Sequence, residues 1–374
     1  MNSLRILAAR WIIMSILSLC TFLAGQVSLA PAATDFDSKW KDLIAAAQKE
    51  GKVVLNSVPG AEMRQKLPSV IKNKFGVELE FVSVDTREAA QRAIREAAAG
   101  VLSTDLISGG QSTFVNELYP KNMLDPIKPL LIHPDIQNPS VWLKGKPWFI
   151  DDKDQYLLRV IDLVVPIGAV NAKIVDPGIF KSGKDLLNPK WKGKIAMYDP
   201  TRPGPGSNTL SYLMKLFGEQ YAIDLIRGQD VKFTRNRRQL ADWMVQGKHP
   251  IAMALSITEF ARLREEGFQV KFILPDDVLP PEGPASGVFV LLKKAPHPKA
   301  AQLFLNWIIT KEGMQLYTNL EGAPGTRIDL DTSKLLVPES IPQPGKQYFD
   351  TADWKYMTTE SRKLFGRIRE LFGR

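Results

Sequence analysis

Cysteine and histidine are scarce in this chain of 374 residues. There is one cysteine, Cys20, and there are three histidines, each followed by a proline. Cys20 lies in an N-terminal segment that we expect to be removed, so the mature protein would have no thiol for catalysis, for a disulfide bond or for a metal. This scarcity argues against a thiol enzyme and against a metal site built from cysteine.

Catalytic motifs are absent as well. The sequence contains no G-x-S-x-G, no H-E-x-x-H and no P-loop. The segment Gly204–Thr209 contains G-x-G, but a dinucleotide fingerprint needs a third glycine where Thr209 stands, and Pro205 would disturb its tight turn. We therefore predict that the protein is not an enzyme and uses no cofactor and no metal. A hydrolase or transferase with a scattered catalytic triad is the alternative.

No long apolar run occurs after the N-terminus. The N-terminal segment contains Arg5 and Arg10, then an apolar run, then the small residues Ala30-Pro31-Ala32. This is the layout of a secretory signal peptide. We predict that residues 1–32 are cleaved and that the mature protein is periplasmic; an uncleaved membrane anchor is the alternative.

Acidic residues are fewer than basic ones. The formal charge of +9 falls to 9 − 2 = +7 when Arg5 and Arg10 are removed with the signal peptide. The basic run Arg235–Arg238 is too short to follow a duplex and contains no aromatic residues, so we predict no nucleic-acid partner. A basic exported protein is better suited to attract anionic solutes or anionic lipids.

Two runs of alternating strand and helix patterns predict an α/β protein with two lobes, each a mostly parallel sheet flanked by helices. We predict that residues 33–160 and 288–330 form lobe one and that residues 161–287 form lobe two. The C-terminal segment, residues 331–374, is assigned to neither lobe. The extended apolar stretches 157–166 and 287–292 are predicted to cross between the lobes as hinge strands. Two ordinary core strands are the alternative.

In open parallel sheets, ligands bind beyond the carboxyl ends of the strands, close to helix N-termini. Applied to this sequence, the rule selects loops rich in hydroxyl, amide, glycine and arginine residues, which suit an anion. Each loop also fits ordinary turn and cap chemistry. The candidate ligand-binding residues are Ser57, Ser108, Gly109 and Gly110 in lobe one, and Thr201, Arg202, Ser207, Arg235, Asn236, Thr258 and Glu259 in lobe two.

Four segments carry a resemblance to a known family. They are Trp40–Val54 (WKDLIAAAQKEGKVV), Asp185–Ile195 (DLLNPKWKGKI), Gly247–Ala254 (GKHPIAMA) and Leu291–Gly313 (LLKKAPHPKAAQLFLNWIITKEG). The chain resembles the periplasmic solute-binding proteins of the iron(III)-type ABC importers. The resemblance implies the type II periplasmic binding fold, a solute enclosed between two lobes, and docking on a permease and ATPase complex at the inner membrane. We expect a monomer.

The sequence departs from the iron-binding members of that family. They have adjacent tyrosines after the strand that here ends at Leu255, where this chain has Ser256–Phe260 (SITEF). The resemblance assigns anion-holding loops to Thr201–Ser207 and Asn236, and leaves Glu259 free to contact a ligand amine. We therefore predict capture of a small organic or phosphorylated anion. Ferric iron held by scattered tyrosines such as Tyr198 is the alternative.

Overall fold

The computed structural model describes residues 31–58, 61–343 and 345–373. Residues from Leu43 onward form one compact unit. Helix α1 (Pro31–Glu50) begins before that unit and ends inside it. Most of the predicted signal peptide, including Cys20, lies outside the described residues. None of the helices in the described part of the chain is long and apolar enough to cross a membrane.

The first large sheet has seven strands in the order β2-β1-β3-β14-β6-β5, with β4 paired to β14. Its parallel part confirms the first predicted strand and helix unit, because β1 pairs with both β2 and β3 in parallel. The strands and helices are β1 (Lys52–Ser57), α2 (Ala61–Phe75), β2 (Glu78–Ser83), α3 (Thr86–Ala98), β3 (Leu106–Gly109), α4 (Gln111–Thr113), β4 (Leu124–Asp125), β5 (Trp148–Phe149), β6 (Leu158–Arg159) and β14 (Val288–Leu292).

Local sequence explains these elements. The β-branched and apolar residues Val53–Leu55 are fully buried in β1. Pro68 lies inside α2. Asp85 caps α3, because its carboxylate accepts a hydrogen bond from the Arg87 N–H (2.9 Å).

The second large sheet has five strands in the order β10-β9-β11-β8-β12. Strands β9, β10 and β11 are parallel, whereas β8 is antiparallel to β11 and β12. Gly218, with φ of 87°, interrupts the long helix α5, in a conformation that glycine adopts without steric cost. The elements are β8 (Gly168–Asn171), β9 (Ile195–Tyr198), α5 (Pro205–Ile223), β10 (Lys232–Thr234), α6 (Arg237–Val245), β11 (Ile251–Met253), α7 (Ile257–Glu265) and β12 (Val270–Ile273).

A small third sheet joins three segments that run between the two large ones, and we call it the hinge sheet. It consists of β7 (Leu163–Val164), β13 (Pro281–Gly283) and β15 (Phe349–Asp350) in the order β15-β13-β7. The stretch 157–166 contributes β6 to the first large sheet and β7 to the hinge sheet. The chain returns from β13 into β14 in the same way. Hence the stretch 157–166 crosses between sheets as two short strands. The stretch 287–292 forms only β14 of the first large sheet, and the second crossing is made by the chain that leads from β13 to β14.

The C-terminal segment contacts the cores of both large sheets. Tyr356 and Met357 pack in the core that contains Leu292, whereas Ile368 packs in the core that contains Met197. The remaining helices are α8 (Pro298–Ile308), α9 (Lys311–Glu321) and α10 (Ser361–Phe372). Shorter π and 3-10 helices are Phe114–Leu118, Tyr119–Lys121, Lys128–Leu130, Pro134–Gln137, Pro139–Val141, Pro177–Ile179, Gly183–Leu187, Pro189–Trp191, Asp224–Gly228, Pro338–Ser340 and Tyr356–Glu360.

Candidate functional site

A cavity of about 440 Å³ lies where loops of the two large sheets meet above the hinge sheet. We call the part of the molecule built on the seven-stranded sheet lobe one and the part built on the five-stranded sheet lobe two. Lobe one contributes the starts of α3 and α4 and the end of α9, and lobe two the starts of α5, α6 and α7. The N-termini of α3, α5, α6 and α7 carry partial positive charge, so the cavity favours a negatively charged occupant.

Arginine side chains add full positive charge to this cavity. Arg87, Arg202, Arg235 and Arg237 line it. Arg235 donates from Nε to Asp199 (2.8 Å), and Arg87 lies 3.3 Å from Glu117. Among the described residues, Arg202 and Arg237 have no carboxylate partner, so their charges are available to a ligand.

Asp199 organises the loop that presents Arg202. It accepts from the Thr201 N–H (2.9 Å) and hydroxyl (2.6 Å) through one oxygen, and from Arg235 through the other. Burial alone raises the pKa of Asp199, but the hydrogen bonds from Thr201 and the ion pair with Arg235 outweigh burial and lower it. Asp199 is therefore ionised at neutral pH and anchors Arg235 beside the cavity.

The close approach of this loop to β9 requires glycine at position 206. A Cβ atom placed there would lie 2.0 Å from the Tyr198 carbonyl oxygen. Ser207 closes the turn, since its hydroxyl donates to the Gly204 carbonyl (2.9 Å) and accepts from the Gly204 N–H (3.0 Å). The Gly-Pro-Gly-Ser sequence thus fixes the N-terminus of α5 at the cavity.

Gly206→Ala should lower the free energy of unfolding by about 1–3 kcal/mol and also weaken ligand binding, because the loop must move away from β9. Urea unfolding and ligand titration would measure the two effects. Gly228→Ala is the control, since a Cβ there meets nothing within 4 Å. Equal stability of the two variants would contradict the role given to Gly206.

Four of the eleven predicted site residues line the cavity, and the other seven lie behind it or elsewhere. Gly110, Arg202, Arg235 and Thr258 are in its wall. Ser57 and Ser108 are buried against one another, with the Ser108 hydroxyl donating to Ser57 (2.7 Å). Behind the wall, Gly109 packs against Thr86. Thr201 and Ser207 support the loop that presents Arg202, and Asn236 caps α6.

One expectation about charge is wrong. Glu259 was expected to be free for a ligand amine, but its carboxylate is ion-paired with Arg262 at 2.8 Å. The two residues are three positions apart on α7, a spacing that brings side chains together on a helix surface. The Glu259 carboxylate is therefore held in an ion pair on α7, and Glu259 does not line the cavity.

The cavity also contains residues that were not among the candidates. Asp85, Tyr198 and Arg237 line it from loops that the strand-end rule had selected, although these residues were not chosen from them. Glu321, at the end of α9, and Thr351, after β15, come from parts of the sequence that carry no binding signal. Only the folded chain brings Glu321 to the loops of lobe two.

The hinge sheet forms the floor of the cavity and has two different faces. Leu163, Pro281 and Thr351 line the cavity. Because successive side chains of a strand point to opposite faces, Asp162, Glu282 and Asp350 point away from it. The cavity floor is thus largely apolar, and three carboxylates lie behind it.

A buried arginine neutralises these carboxylates in part. Arg159 is fully buried and donates to Asp162, to Asp350 (3.0 Å) and to the Ile161 carbonyl (3.1 Å). Its guanidinium lies 3.8 Å from the centre of the Trp148 ring. Lys144 is 4.0 Å from Glu282. We call Lys144, Arg159, Asp162, Glu282 and Asp350 the hinge cluster.

In the described part of the chain, no group of three or more His, Cys, Asp or Glu residues could hold a metal ion. Of the two tyrosines at the cavity, Tyr212 donates its hydroxyl to the Leu279 carbonyl (2.5 Å), and burial raises its pKa to about 12. A tyrosine in that state is a poor ferric ligand, because the ligating form is the phenolate.

Comparison with known proteins agrees with this architecture. A curated protein of Haemophilus influenzae, described as uncharacterized, is 24% identical over 218 residues, which are 56% of this chain and 61% of that protein. The Trichodesmium protein IdiA (FutA), solved with iron and citrate, superposes with a TM-score of 0.66 at 16% identity, over 87% of this chain and all of that one. AfuA of Actinobacillus pleuropneumoniae, solved with fructose-6-phosphate, gives 0.62 at 20% identity, over 86% and 99%.

The two superpositions establish a shared two-lobed periplasmic binding protein fold. The family whose members are described as bacterial extracellular solute-binding proteins matches residues 30–315, which is most of the chain. Members of this family are the binding proteins of ABC importers, and they act outside the cytoplasm. The chain therefore belongs to the bacterial extracellular solute-binding protein family and is a periplasmic solute-binding protein.

Proposed function

We propose that this protein captures a small organic or phosphorylated anion in the cavity and delivers it to the permease and ATPase of an ABC importer at the inner membrane. The observation that carries the proposal is the pair Arg202 and Arg237, which line the cavity and have no carboxylate partner among the described residues. An anion would supply that partner. Delivery by a monomer that is exported through a cleaved signal peptide, residues 1–32, is part of the same proposal.

The surrounding backbone supports an anion in the same place. Helices α5, α6 and α7 begin at the cavity wall on the lobe that carries the arginines. Each helix N-terminus contributes about 0.3–2 kcal/mol toward a negative charge. An arginine bond to a ligand anion adds about 1.5–3 kcal/mol. Two arginines with these three helix N-termini together contribute about 4–12 kcal/mol. That range includes the value of about 8 kcal/mol that micromolar binding needs.

The arrangement of the two lobes around the hinge sheet supports capture of the ligand by enclosure between them. We propose that residues 33–160 with 288–330 and residues 161–287 move relative to one another about the hinge sheet, since the chain crosses there between the two large sheets. Residues 331–374 belong to neither lobe alone, because Tyr356 packs with the core of lobe one and Ile368 with the core of lobe two. The C-terminal segment is thus a third connection across the hinge.

Arg202→Ala and Arg237→Ala should each weaken binding of the anion about 10- to 150-fold, because each removes a charge-assisted bond. A thermal-shift screen of organic acids, phosphonates and sugar phosphates first identifies the ligand, since a ligand at 100 times its Kd stabilises by about 2.7 kcal/mol. Calorimetric titration of the variants then measures the loss.

Arg238→Ala is the matched control, because Arg238 adjoins Arg237 but is ion-paired with Asp242 and Glu266. Unchanged affinity in both arginine variants would refute the proposal. Ferric citrate in the same screen tests the iron alternative, for which a coloured tyrosinate complex would be the positive result.

A further inference from the structure

In the described part of the chain, two carboxylates line the cavity from lobe one, opposite the proposed anion site: Asp85, which caps α3, and Glu321. Glu321 is the last residue of α9, followed by Gly322 in the left-handed conformation, and it lines the cavity. Its side chain is half-buried. Among the described residues it forms neither an ion pair nor a hydrogen bond, so its oxygens are available as acceptors.

This position is unfavourable for an unpaired carboxylate. The C-terminus of a helix carries partial negative charge, which repels an acidic side chain. Burial raises the pKa of the Glu321 carboxyl to about 7, although the positive charge of Arg237 acts in the opposite direction. Perturbed acidic groups in clefts are concentrated at functional sites. A ligand group that donates a hydrogen bond would stabilise the ionised form.

The cavity is therefore bipolar. Arg202 and Arg237 lie on lobe two, whereas Glu321 lies on lobe one. The positive charge of Arg237 acts on the Glu321 carboxyl from across the cavity. A simple anion such as sulfate can satisfy the arginines but offers no donor to Glu321. A longer anion with a donor at its far end can satisfy both walls at once.

Resting on the anion capture proposed above, we infer that Glu321 selects the ligand by accepting a hydrogen bond from a hydroxyl or ammonium group at the end opposite the anionic head. The ligand class is then an organic phosphate, phosphonate or carboxylate that carries such a donor. Closure of the lobes on this ligand would place its anionic head at the arginines and its donor at Glu321.

Three matched types of probe test this inference: alkylphosphonates that end in an ammonium, a hydroxyl or a methyl group, each type at chain lengths of three and five carbons. Titrations at pH 8 keep both the phosphonate and Glu321 ionised. The wild-type protein should prefer the ammonium or the hydroxyl probe over the methyl probe by about tenfold or more. The two donor probes distinguish an amine ligand from an alcohol.

Glu321→Leu should abolish this preference, while Glu321→Gln, which keeps an acceptor oxygen, should retain the hydroxyl preference and lose most of the ammonium preference. Glu312→Gln is the control, because Glu312 is on the same helix but is paired with Lys74 outside the cavity. Equal binding of the three probes by the wild type, or an equal loss for all three in both Glu321 variants, would overturn the inference and leave anion capture intact. Failure of every probe to bind would count against anion capture itself.

Discussion

Replacing Arg159 by alanine should lower the free energy of unfolding by about 3–5 kcal/mol, because it leaves buried carboxylates without their cation. Asp162 is as completely buried as Arg159 and is paired with it. Removing one partner of such a pair leaves a charge in a medium that solvates it poorly. Since a typical domain is stable by about 5–15 kcal/mol, the loss would be a large share of the total.

The predicted loss also reflects how many bonds one side chain makes. Arg159 connects β6 to the backbone after it, to Asp162 and to Asp350 of the C-terminal segment, and it stacks on Trp148. Alanine removes the charge, the bonds and the packing together. Urea unfolding monitored by circular dichroism measures the effect.

Two further variants separate charge from packing. Arg238→Ala removes an exposed arginine with two ion pairs and should cost less than about 1 kcal/mol. The double variant Arg159→Met with Asp162→Asn should recover part of the loss, because no unpaired charge remains between those two positions. A single Arg159→Ala variant as stable as Arg238→Ala would show that the hinge cluster does not stabilise the fold.

The sequence was sufficient to predict the two α/β lobes because the strand and helix patterns are local. The strand-end rule also selected loops that contribute to the cavity wall, but it could not select the side chains within them. Ser57 and Val58 show why: neighbours in an extended chain point to opposite sides, and it is Val58 that lines the cavity while Ser57 is buried against Ser108. The sequence analysis named Ser57 alone, because the sheet register that turns Val58 toward the cavity cannot be read from the sequence.

Contacts between residues far apart in the sequence could not be predicted, for a different reason. Arg159 meets Asp350 across 191 positions of sequence, and Glu321 meets the loops of lobe two only through the packing of α9. Neither residue has a neighbouring motif that marks its role. Glu259 had such a motif, a polar loop after a strand, yet the helical spacing to Arg262 decided its partner.

The stability of the wild-type protein should fall by about 2.5 kcal/mol relative to Glu282→Gln as the pH rises from 5 to 8. Burial raises the pKa of Glu282 from 4.5 to about 7, with Asp162 and Asp350 acting in the same direction and Arg159 and Lys144 against it. The folded protein thus holds a proton that the unfolded chain has released above pH 4.5. Each unit of pKa difference corresponds to about 1.4 kcal/mol.

The direction in which stability changes with pH follows from this proton. Below the unfolded pKa both states are protonated, and Glu282 costs nothing relative to glutamine. Between the two pKa values folding takes up a proton, so the free energy of unfolding decreases with pH until the folded carboxyl ionises near pH 7. Glutamine keeps the neutral form at every pH, and the difference between the two proteins isolates Glu282 from all other titrating groups.

Urea unfolding of both proteins at half-unit steps of pH measures that difference. Glu88→Gln, which changes an exposed carboxyl on α3, should follow the wild type throughout. Parallel curves for the wild type and Glu282→Gln would mean that Glu282 is ionised in the folded hinge at pH 5, paired well enough by Arg159 and Lys144 to offset its burial. A gap that opens between pH 5 and 7 would instead mean that the hinge cluster holds more carboxylates than its cations can balance, so that one of them remains protonated in the folded protein.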